Sequence, residues 1–293
     1  MHLGNVFTAV LSWLAAKSTG GRWVLRIEDL DPQRSRLEHA RQIEDDLRWL
    51  GLEWDEGGLG GAGTSGPYSQ SLRGDIYEAF LDKLRQTGYT YPCFCTRADI
   101  MATQAPHQSD GRVVYAGTCR PSSFPSGCVP QRPHATRIYV PDEEIVYSDV
   151  VFGPQSVNLA RECGDFILRR ADGAWAYQLA VVVDDALMGV RQVVRGADLL
   201  LSAAQQIYLY RMLGLEPPSF AHLPLVCNAE GRRLSKRDAA LGMAELRAAN
   251  SPEELLGRIA AMAGLIPEAR AISLGELLSE FSWSKIHRLP TLK

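Results

Sequence analysis

The feature that most constrains the fold is the close alternation of helical and strand-like segments at the start of the chain. Residues 5–18 place apolar side chains at helical spacing and end before Gly20-Gly21, a common helix terminator. Residues 22–28 predict a strand, and residues 37–50 predict a second helix that ends at Gly51. A helix–strand–helix order at such short spacing favours a parallel α/β sheet.

The rest of the chain divides by the character of its residues. Residues 89–160 contain cysteines, prolines and short strand-like runs, and they predict an insertion in the α/β core. Residues 177–188 predict a buried strand, and a helix is expected between Gly196 and Leu213. The predicted domains are a first α/β half (1–88), the insertion (89–160), a second α/β half (161–238) and a helical C-terminal part (239–293).

Composition is that of an ordinary soluble globular protein, with 46% hydrophobic and 22% charged residues. No apolar run reaches roughly 18 residues and no secretory pattern is present, so we expect a cytoplasmic protein. The net charge of −3 gives no global basic footprint, although 31 Lys and Arg residues can still form a local basic face. Six cysteines in such a chain favour free thiols, or a metal where they cluster, over disulfides.

The segment His2–Asn5 opens the first predicted helix. A helix N-terminus carries unpaired N–H groups and a partial positive charge, which suit a phosphate. Gly4 lets a ligand approach the backbone, and His2 can donate to a phosphate oxygen. A short disordered stretch in front of an ordinary helix would have the same sequence, so the segment alone leaves both interpretations open.

A second candidate segment is the cationic stretch Arg232–Arg237, which lies between apolar runs. Its composition suits a triphosphate, because Lys236 is a compact point charge and the arginines present forked donors. A solvated basic loop is the alternative interpretation of the same residues.

Together these segments resemble the HIGH and KMSKS motifs of class I aminoacyl-tRNA synthetases, which bracket ATP. Further stretches resemble the glutamyl-type enzymes, namely Arg26–Asp31 (RIEDLD), Trp49–Leu52 (WLGL), Tyr68–Ser71 (YSQS) and Val194–Asp198 (VRGAD). The resemblance extends from His2 to around residue 240. It implies a Rossmann-type α/β catalytic domain with a zinc-bearing insertion and a short α-helical C-terminal part.

The resemblance also implies the residues that bind ATP, with His2 and Lys236 as the catalytic pair that stabilises the transferring phosphates. The implied ATP-binding residues are His2, Gly4, Asn5, Ser235 and Lys236. Mg²⁺ would accompany the nucleotide.

For the amino acid, the resemblance implies that Glu28 binds the amino group, Tyr177 contacts the substrate and Arg195 pairs with a carboxylate. These residue types suit glutamate, because a zwitterion with an extra carboxylate needs one anion and at least one fork-shaped cation. Structural ion pairing of Glu28 and Arg195, and a plain core position for Tyr177, are the alternatives.

Cys93, Cys95 and Cys119 form a cysteine cluster in the insertion. Three thiolates and one further ligand would close a tetrahedral zinc site. Spacing alone proposes His107 as the fourth ligand, whereas the resemblance implies Tyr115; buried or free thiols without metal are the alternative. The remaining cysteines, Cys128, Cys163 and Cys227, are assigned to buried or free thiols without metal. The histidines assigned to structural or surface roles are His39, His134, His222 and His287.

Two features narrow the resemblance to the short paralogues, the glutamyl-queuosine tRNA(Asp) synthetases. Val181 stands where ordinary glutamyl-tRNA synthetases usually carry Asn, and only residues 239–293 follow the cationic segment, too few for a large anticodon-binding module. The implied activity is ATP-dependent activation of L-glutamate and its transfer to queuosine in the anticodon of tRNA(Asp), by a monomer.

One departure concerns the start of the sequence. The family carries a strand with an Arg and a Ser before the HIGH motif, whereas this sequence begins at the motif. Loss of a central strand would leave backbone groups unpaired, at about 1–3 kcal/mol each if buried. We therefore expect a misassigned start or an impaired product. An ordinary glutamyl-tRNA synthetase fragment and a non-catalytic zinc-containing RNA-binding remnant stay open as alternatives.

Overall fold

The computed structural model describes residues 1–31, 34–102, 114–121, 132–226 and 242–286. The α-helices in these ranges are α1 (Leu3–Ser18), α2 (Leu37–Trp49), α3 (Gly74–Gln86), α4 (Arg97–Ala102), α5 (Leu159–Glu162), α6 (Tyr177–Leu187), α7 (Leu200–Met212), α8 (Met243–Ala249), α9 (Pro252–Ala263) and α10 (Leu274–Glu280). The strands are β1 (Val24–Leu25), β2 (Glu56–Gly57), β3 (Thr90–Cys93), β4 (Ala135–Ile138), β5 (Glu144–Asp149), β6 (Gly153–Asn158), β7 (Phe166–Arg169), β8 (Gln192–Gly196) and β9 (Ser219–Leu223).

Parallel pairing dominates the sheets that border the site. One sheet has the strand order β6-β5-β9-β8, in which β5, β9 and β8 are parallel and β6 closes an antiparallel hairpin with β5. β1 and β2 form a short parallel pair of their own. The parallel α/β arrangement expected from the sequence is confirmed.

Helix α1 lies against β8 on one side and against α9 and α10 on another. Its fully buried residues Val6, Val10 and Leu14 recur at helical spacing, which is why this stretch folds as an amphipathic helix. The strand predicted over residues 22–28 is shorter in the structure. Only Val24–Leu25 pairs as a strand, so most of that run continues as extended chain toward the site.

The strand predicted over residues 177–188 is wrong, because this segment forms helix α6. Its backbone makes helical hydrogen bonds, such as Met188 N–H to Asp184 O at 2.8 Å. Residues 179–185 are all buried, since α6 contacts α3, α7 and β7. A helix whose central residues are all buried shows the same continuous apolar run as a buried strand, and its three consecutive valines are also typical of strands.

The insertion is built on an antiparallel sheet of order β3-β4-β7. Residue Tyr115 joins this unit through a bridge to Gly164. Gly164 has φ +65°, and a Cβ there would lie 2.2 Å from Tyr115 O, so only glycine fits. Strand pairing crosses residue 160, because β7 belongs to the insertion sheet and β5 and β6 join β9. The domain limits given above remain predictions.

The C-terminal part is helical across residues 242–286, as the sequence predicted. α9 and α10 each begin with a capping box, formed by Ser251 with Glu254 and by Ser273 with Glu276. Both helices pack their apolar faces on α1 and thereby support the start of the chain. Within the described ranges, none of the helices combines the length and apolar character needed to cross a bilayer.

Candidate active site

A cavity of about 1250 Å³ opens between α1, α6 and β8. It is lined by several residues that the sequence singled out, namely His2, Gly4, Asn5, Glu28, Tyr177, Val181 and Arg195. They come from distant parts of the chain, and the topology brings them to one wall because α1 lies against β8 while α6 precedes β8. The predicted site residues that the structure describes at this wall therefore line one cavity.

The N-terminus of α1 forms one end of this cavity. His2 is the N-cap residue with extended backbone, and its N–H donates to Asn5 Oδ1 at 3.4 Å. The first N–H groups of α1 and the positive end of its dipole consequently border the cavity, as a phosphate site requires.

Ser235 and Lys236 lie outside the described residues. The chain on either side of them is described, and both sides reach the cavity: Val226 and Gly242 line it together with His2. Gly242 forms an antiparallel bridge with His2, and Met243 N–H donates to Met1 O at 3.0 Å. Both flanks of the cationic segment thus reach the cavity, and the Gly242 side is bonded to the residues that precede α1.

Glu28 is one of the carboxylates that line the cavity, together with Asp185, Asp198 and Glu245. Arg26 Nη2 donates to Glu28 Oε1 at 2.9 Å, and Arg26 Nη1 donates to Asp185 Oδ1 at 2.6 Å. Burial opposes the charge of Arg26, but the carboxylates of Asp185, Glu28 and Asp184 outweigh it and raise the pKa of the guanidinium. The Glu28 side chain keeps 43% of its surface exposed, so it is held in place and still accessible to a cationic group.

Asp184 supports this acidic region from the protein interior. It is fully buried and accepts hydrogen bonds from Arg73 Nε at 2.6 Å, from Gln70 Nε2 at 2.8 Å and from Tyr77 Oη at 2.8 Å. These donors come from the beginning of α3 and the turn before it. Asp184 therefore ties α6 to α3, and it also lies 3.7 Å from Arg26 Nε.

Arg195 on β8 lines the cavity as a buried cation, and Arg26 is a second arginine of its wall. It is 8% exposed, and its Nε donates to His222 Nε2 at 3.1 Å while Nη1 donates to Gln206 Oε1 at 2.8 Å. Arg195 Nη2 also donates to the backbone oxygen of Leu199 at 3.4 Å. All three acceptors are neutral, and across the described parts of the chain no carboxylate forms an ion pair with Arg195. Burial lowers the pKa of Arg195, although Tyr177 and Asp185 act in the opposite direction. This buried charge lacks the anion that buried cations normally have.

Behind Arg195, His222 and Asp149 form a fully buried pair with a distance of 2.7 Å from Nδ1 to Oδ2. Asp149 Oδ1 also accepts the backbone N–H groups of Val151 and Phe152. Burial acts to raise the pKa of Asp149, but the hydrogen bonds from His222 and from these N–H groups outweigh it and lower the pKa.

Tyr177 begins α6 and is 38% exposed at the cavity. Burial of the phenol and the charge of Glu28 raise its pKa, so the hydroxyl stays protonated and can donate to a ligand. Val181, one helical turn further on, presents an apolar surface to the same space.

The thiols of Cys93, Cys95 and Cys119 lie within 4.8 Å of one another in the insertion. The hydroxyl of Tyr115 is 3.4 Å from Cys93 Sγ and 3.9 Å from Cys95 Sγ, and Cys95 Sγ is 3.5 Å from Cys119 Sγ. Burial, with the hydrogen bond to Cys119, raises the pKa of Cys95 to about 11. The structure thus brings the predicted ligand set together.

A family model described as the catalytic domain of tRNA synthetases class I (E and Q) matches residues 1–285. The chain belongs to this family. It is 47% identical to a glutamyl-Q tRNA(Asp) synthetase from Symbiobacterium thermophilum, over 99% of this chain and 91% of the relative. It is also 47% identical to a glutamyl-Q tRNA(Asp) synthetase from Nitratidesulfovibrio vulgaris, over 92% of this chain and 84% of that one.

Among solved structures, the fold of this chain is similar to that of a glutamate tRNA ligase from Elizabethkingia meningosepticum in complex with its amino acid. The TM-score is 0.83 at 30% sequence identity. The alignment covers 99% of this chain and 64% of the ligase, so the chain spans somewhat less than two thirds of that protein.

Some residues around this class I synthetase cavity were missed or assigned elsewhere by the sequence. His222 was assigned a structural or surface role, yet it is buried and contacts Arg195; a polar residue inside an apolar strand requires a buried partner, and that signal was available. Asp149, Asp184 and Gln206 were not singled out. The residues of the earlier assignments that lie outside the described ranges are His107, Cys128, Cys227 and His287.

Proposed function

We propose that this chain is a glutamyl-Q tRNA(Asp) synthetase, which activates glutamate with ATP and transfers it to queuosine in tRNA(Asp). The observation that carries the proposal is the cavity itself, which combines the N-terminus of α1, an accessible carboxylate at Glu28 and a buried cation at Arg195. Relatives that share 47% of its residues over most of their length bear this name.

The charges of the cavity support an acidic amino acid as substrate. Arg195 has only neutral acceptors around it in the described residues, so a carboxylate entering the cavity would supply the missing anion. Glu28 would bind the ammonium group, and the Tyr177 hydroxyl would donate to the substrate. A neutral amino acid would leave the buried guanidinium uncompensated, at an expected cost of about 1–3 kcal/mol or more.

The first step would join glutamate to the α-phosphate of ATP. An α-carboxylate oxygen forms a bond to the phosphorus, the bond to the bridging oxygen breaks, and pyrophosphate leaves. The carboxylate is already an anion, so no general base is needed and the protein contributes position and charge stabilisation. His2, Gly4 and Asn5 would bind phosphates at the α1 terminus together with Ser235 and Lys236, and Mg²⁺ bound with ATP would neutralise phosphate charge.

The second step would transfer the activated acyl group. A hydroxyl on the queuosine ring attacks the acyl carbonyl, the new ester forms, and AMP leaves as the acyl–phosphate bond breaks. The hydrophobic wall at Val181 and the positive end of α1 would keep the adenylate in place during this exchange.

For the insertion we propose a structural zinc ion held by Cys93, Cys95, Cys119 and Tyr115. A tetrahedron with zinc–sulfur bonds of about 2.3 Å places its sulfur atoms roughly 3.8 Å apart. The Cys95–Cys119 sulfur–sulfur distance of 3.5 Å is close to that value, and the Tyr115 hydroxyl lies 3.4 Å and 3.9 Å from the sulfur atoms of Cys93 and Cys95. Such an ion would join residues 114–121 to β3.

The function is tested by two assays on the full chain. Glutamate-dependent exchange of pyrophosphate into ATP should occur, and glutamate should be transferred to tRNA(Asp) that contains queuosine but not to the same tRNA without it. Charging of a tRNA irrespective of queuosine would indicate an ordinary glutamyl-tRNA synthetase instead. No exchange at all would point to a non-catalytic protein.

The metal site is tested by elemental analysis of the purified protein. One zinc per chain is expected in the wild type, and Cys119→Ser should lower it. Cys163→Ser is the matched control, because Cys163 Sγ contacts Gly164 O and lies outside the cluster. Equal zinc content in all three proteins, or none in the wild type, would contradict the proposal.

A further inference from the structure

Arg195 is held by residues on neighbouring elements rather than by its own strand. In the register of the sheet Arg195 on β8 is paired with His222 on β9, and β5, which ends at Asp149, adjoins β9 on its other side. Hydrogen bonds join the three side chains across these parallel strands, from Arg195 to His222 and from His222 to Asp149. Gln206 on α7 holds a second nitrogen of the guanidinium from another direction.

The hydrogen bonds among these three side chains determine the protonation of the imidazole. An arginine Nε–H only donates, so His222 Nε2 must accept from Arg195. His222 Nδ1 therefore carries the proton and donates to Asp149 Oδ2 at 2.7 Å. Asp149 accepts only, and in this way it selects the tautomer whose free lone pair faces Arg195.

We propose that Asp149 and His222 are positioning residues for the acidic substrate: they fix the plane of the Arg195 guanidinium so that its remaining N–H groups are presented to a carboxylate in the cavity. The inference rests on the proposed function, and it adds two residues to the recognition of glutamate. Neither residue lines the cavity, so both act through Arg195.

The neutral acceptors around Arg195 fit this positioning role. A carboxylate in direct contact would hold the guanidinium equally well, but it would also satisfy its charge and weaken the attraction for a substrate anion. An imidazole nitrogen and an amide oxygen orient the group without neutralising it. Asp149 binds the other nitrogen of His222 and orients the imidazole.

A purely structural role for the pair is the competing explanation, because Asp149 also binds the N–H groups of Val151 and Phe152 and thereby shapes the β5–β6 hairpin. Two substitutions of His222 separate the roles. In His222→Asn the amide can take the place of Nδ1 and keep the bond to Asp149, but nothing reaches Arg195. In His222→Gln the amide oxygen can take the place of Nε2 and accept from Arg195, but the bond to Asp149 is lost.

The measurement is the KM for glutamate and for ATP in pyrophosphate exchange, with the thermal midpoint of each protein. We expect His222→Asn to raise the KM for glutamate roughly tenfold or more, the usual effect of losing one buried hydrogen bond, with the KM for ATP little changed. His222→Gln should raise the glutamate KM less while lowering the thermal midpoint more. His39→Asn, a substitution of an exposed histidine on α2, is the control and should match the wild type.

The opposite order, with His222→Gln the poorer binder of glutamate, or equal KM values in all variants, would overturn the positioning role. A wild type without exchange would overturn the proposed function instead. The tautomer is read separately on the ligand-free protein by ¹⁵N NMR of the imidazoles. We expect the wild type to show an Nδ1–H signal that is absent from the spectra of both His222 variants. A protonated Nε2 on His222 would overturn the inference.

Discussion

Two regions of the molecule each contain a buried arginine, and in the described residues only one of these two arginines is paired with a carboxylate. At the contact of α3 with α6, Arg73 is 1% exposed and its Nε donates to the fully buried carboxylate of Asp184 at 2.6 Å. At the cavity wall, Arg195 is 8% exposed and has neutral partners within the described residues. A buried charge with its counterion holds elements together, whereas a buried charge without one is available to a ligand. The difference separates the scaffold from the site.

The largest expected effect lies at the scaffold. Asp184→Ala should lower the free energy of unfolding by about 3–5 kcal/mol, because it leaves Arg73 in the interior without its anion. Urea unfolding of the variant and the wild type measures this. Asp82→Ala, which removes an exposed partner of Arg85, is the control. If both substitutions cost the same, the contrast between the two regions disappears.

At the cavity wall we expect a large effect on activity and a small effect on stability. Arg195→Leu should raise the barrier for glutamate activation by about 2–5 kcal/mol, since a substrate carboxylate loses its partner. Its effect on unfolding should be much smaller than that of Asp184→Ala, because no buried carboxylate is left alone. Pyrophosphate exchange and urea unfolding on the same preparations decide it, and a stability loss as large as that of Asp184→Ala would break the comparison.

Lys236→Ala sharpens the distinction between the two ends of the cavity. We expect a loss of about 2–4 kcal/mol in transition-state stabilisation, similar to removal of one oxyanion donor. The loss should appear in kcat, with the KM for glutamate little changed, because Lys236 would act on the phosphates. Unchanged exchange would remove Lys236 from the mechanism.

A smaller effect is expected at acidic pH. The folded-state pKa of Asp149 is lowered, so the stability it contributes is present above the unfolded value of about 3.9 and is lost as the pH falls through the folded value. The free energy of unfolding should therefore decline below about pH 4, and Asp149→Asn should show a shallower decline. Unfolding curves at a series of pH values test this; parallel declines would contradict it.

The smallest effect concerns an exposed pair. Lys285 Nζ lies 2.7 Å from Glu280 Oε2 with both side chains 43% exposed. Lys285→Ala should change the free energy of unfolding by no more than about 0.5 kcal/mol, because water screens the pair. If Lys285→Ala lowered the free energy of unfolding as much as Asp184→Ala, burial would not explain the difference between the Lys285–Glu280 and Arg73–Asp184 pairs.

Local patterns identified much of the fold and of the site. The periodicity of α1 and the glycine after it defined that helix, and the motif at His2–Asn5 was placed correctly at its N-terminus. The stretch 177–188 was predicted as a strand because its apolar run carries no period. Only the elements that pack around α6 distinguish a helix with a buried central segment from a buried strand.

The sequence by itself determined which chemical groups the chain carries and where amphipathic helices such as α1 begin and end, because spacing and residue type are local properties. It supplied Glu28, Arg195 and the thiols of the insertion. The tertiary structure alone decided that Arg195 faces a neutral imidazole and Arg73 a carboxylate. His222 and Asp149 are 73 residues apart in the chain, and Arg73 and Asp184 are 111 apart. Such partners meet only through strand order and helix packing.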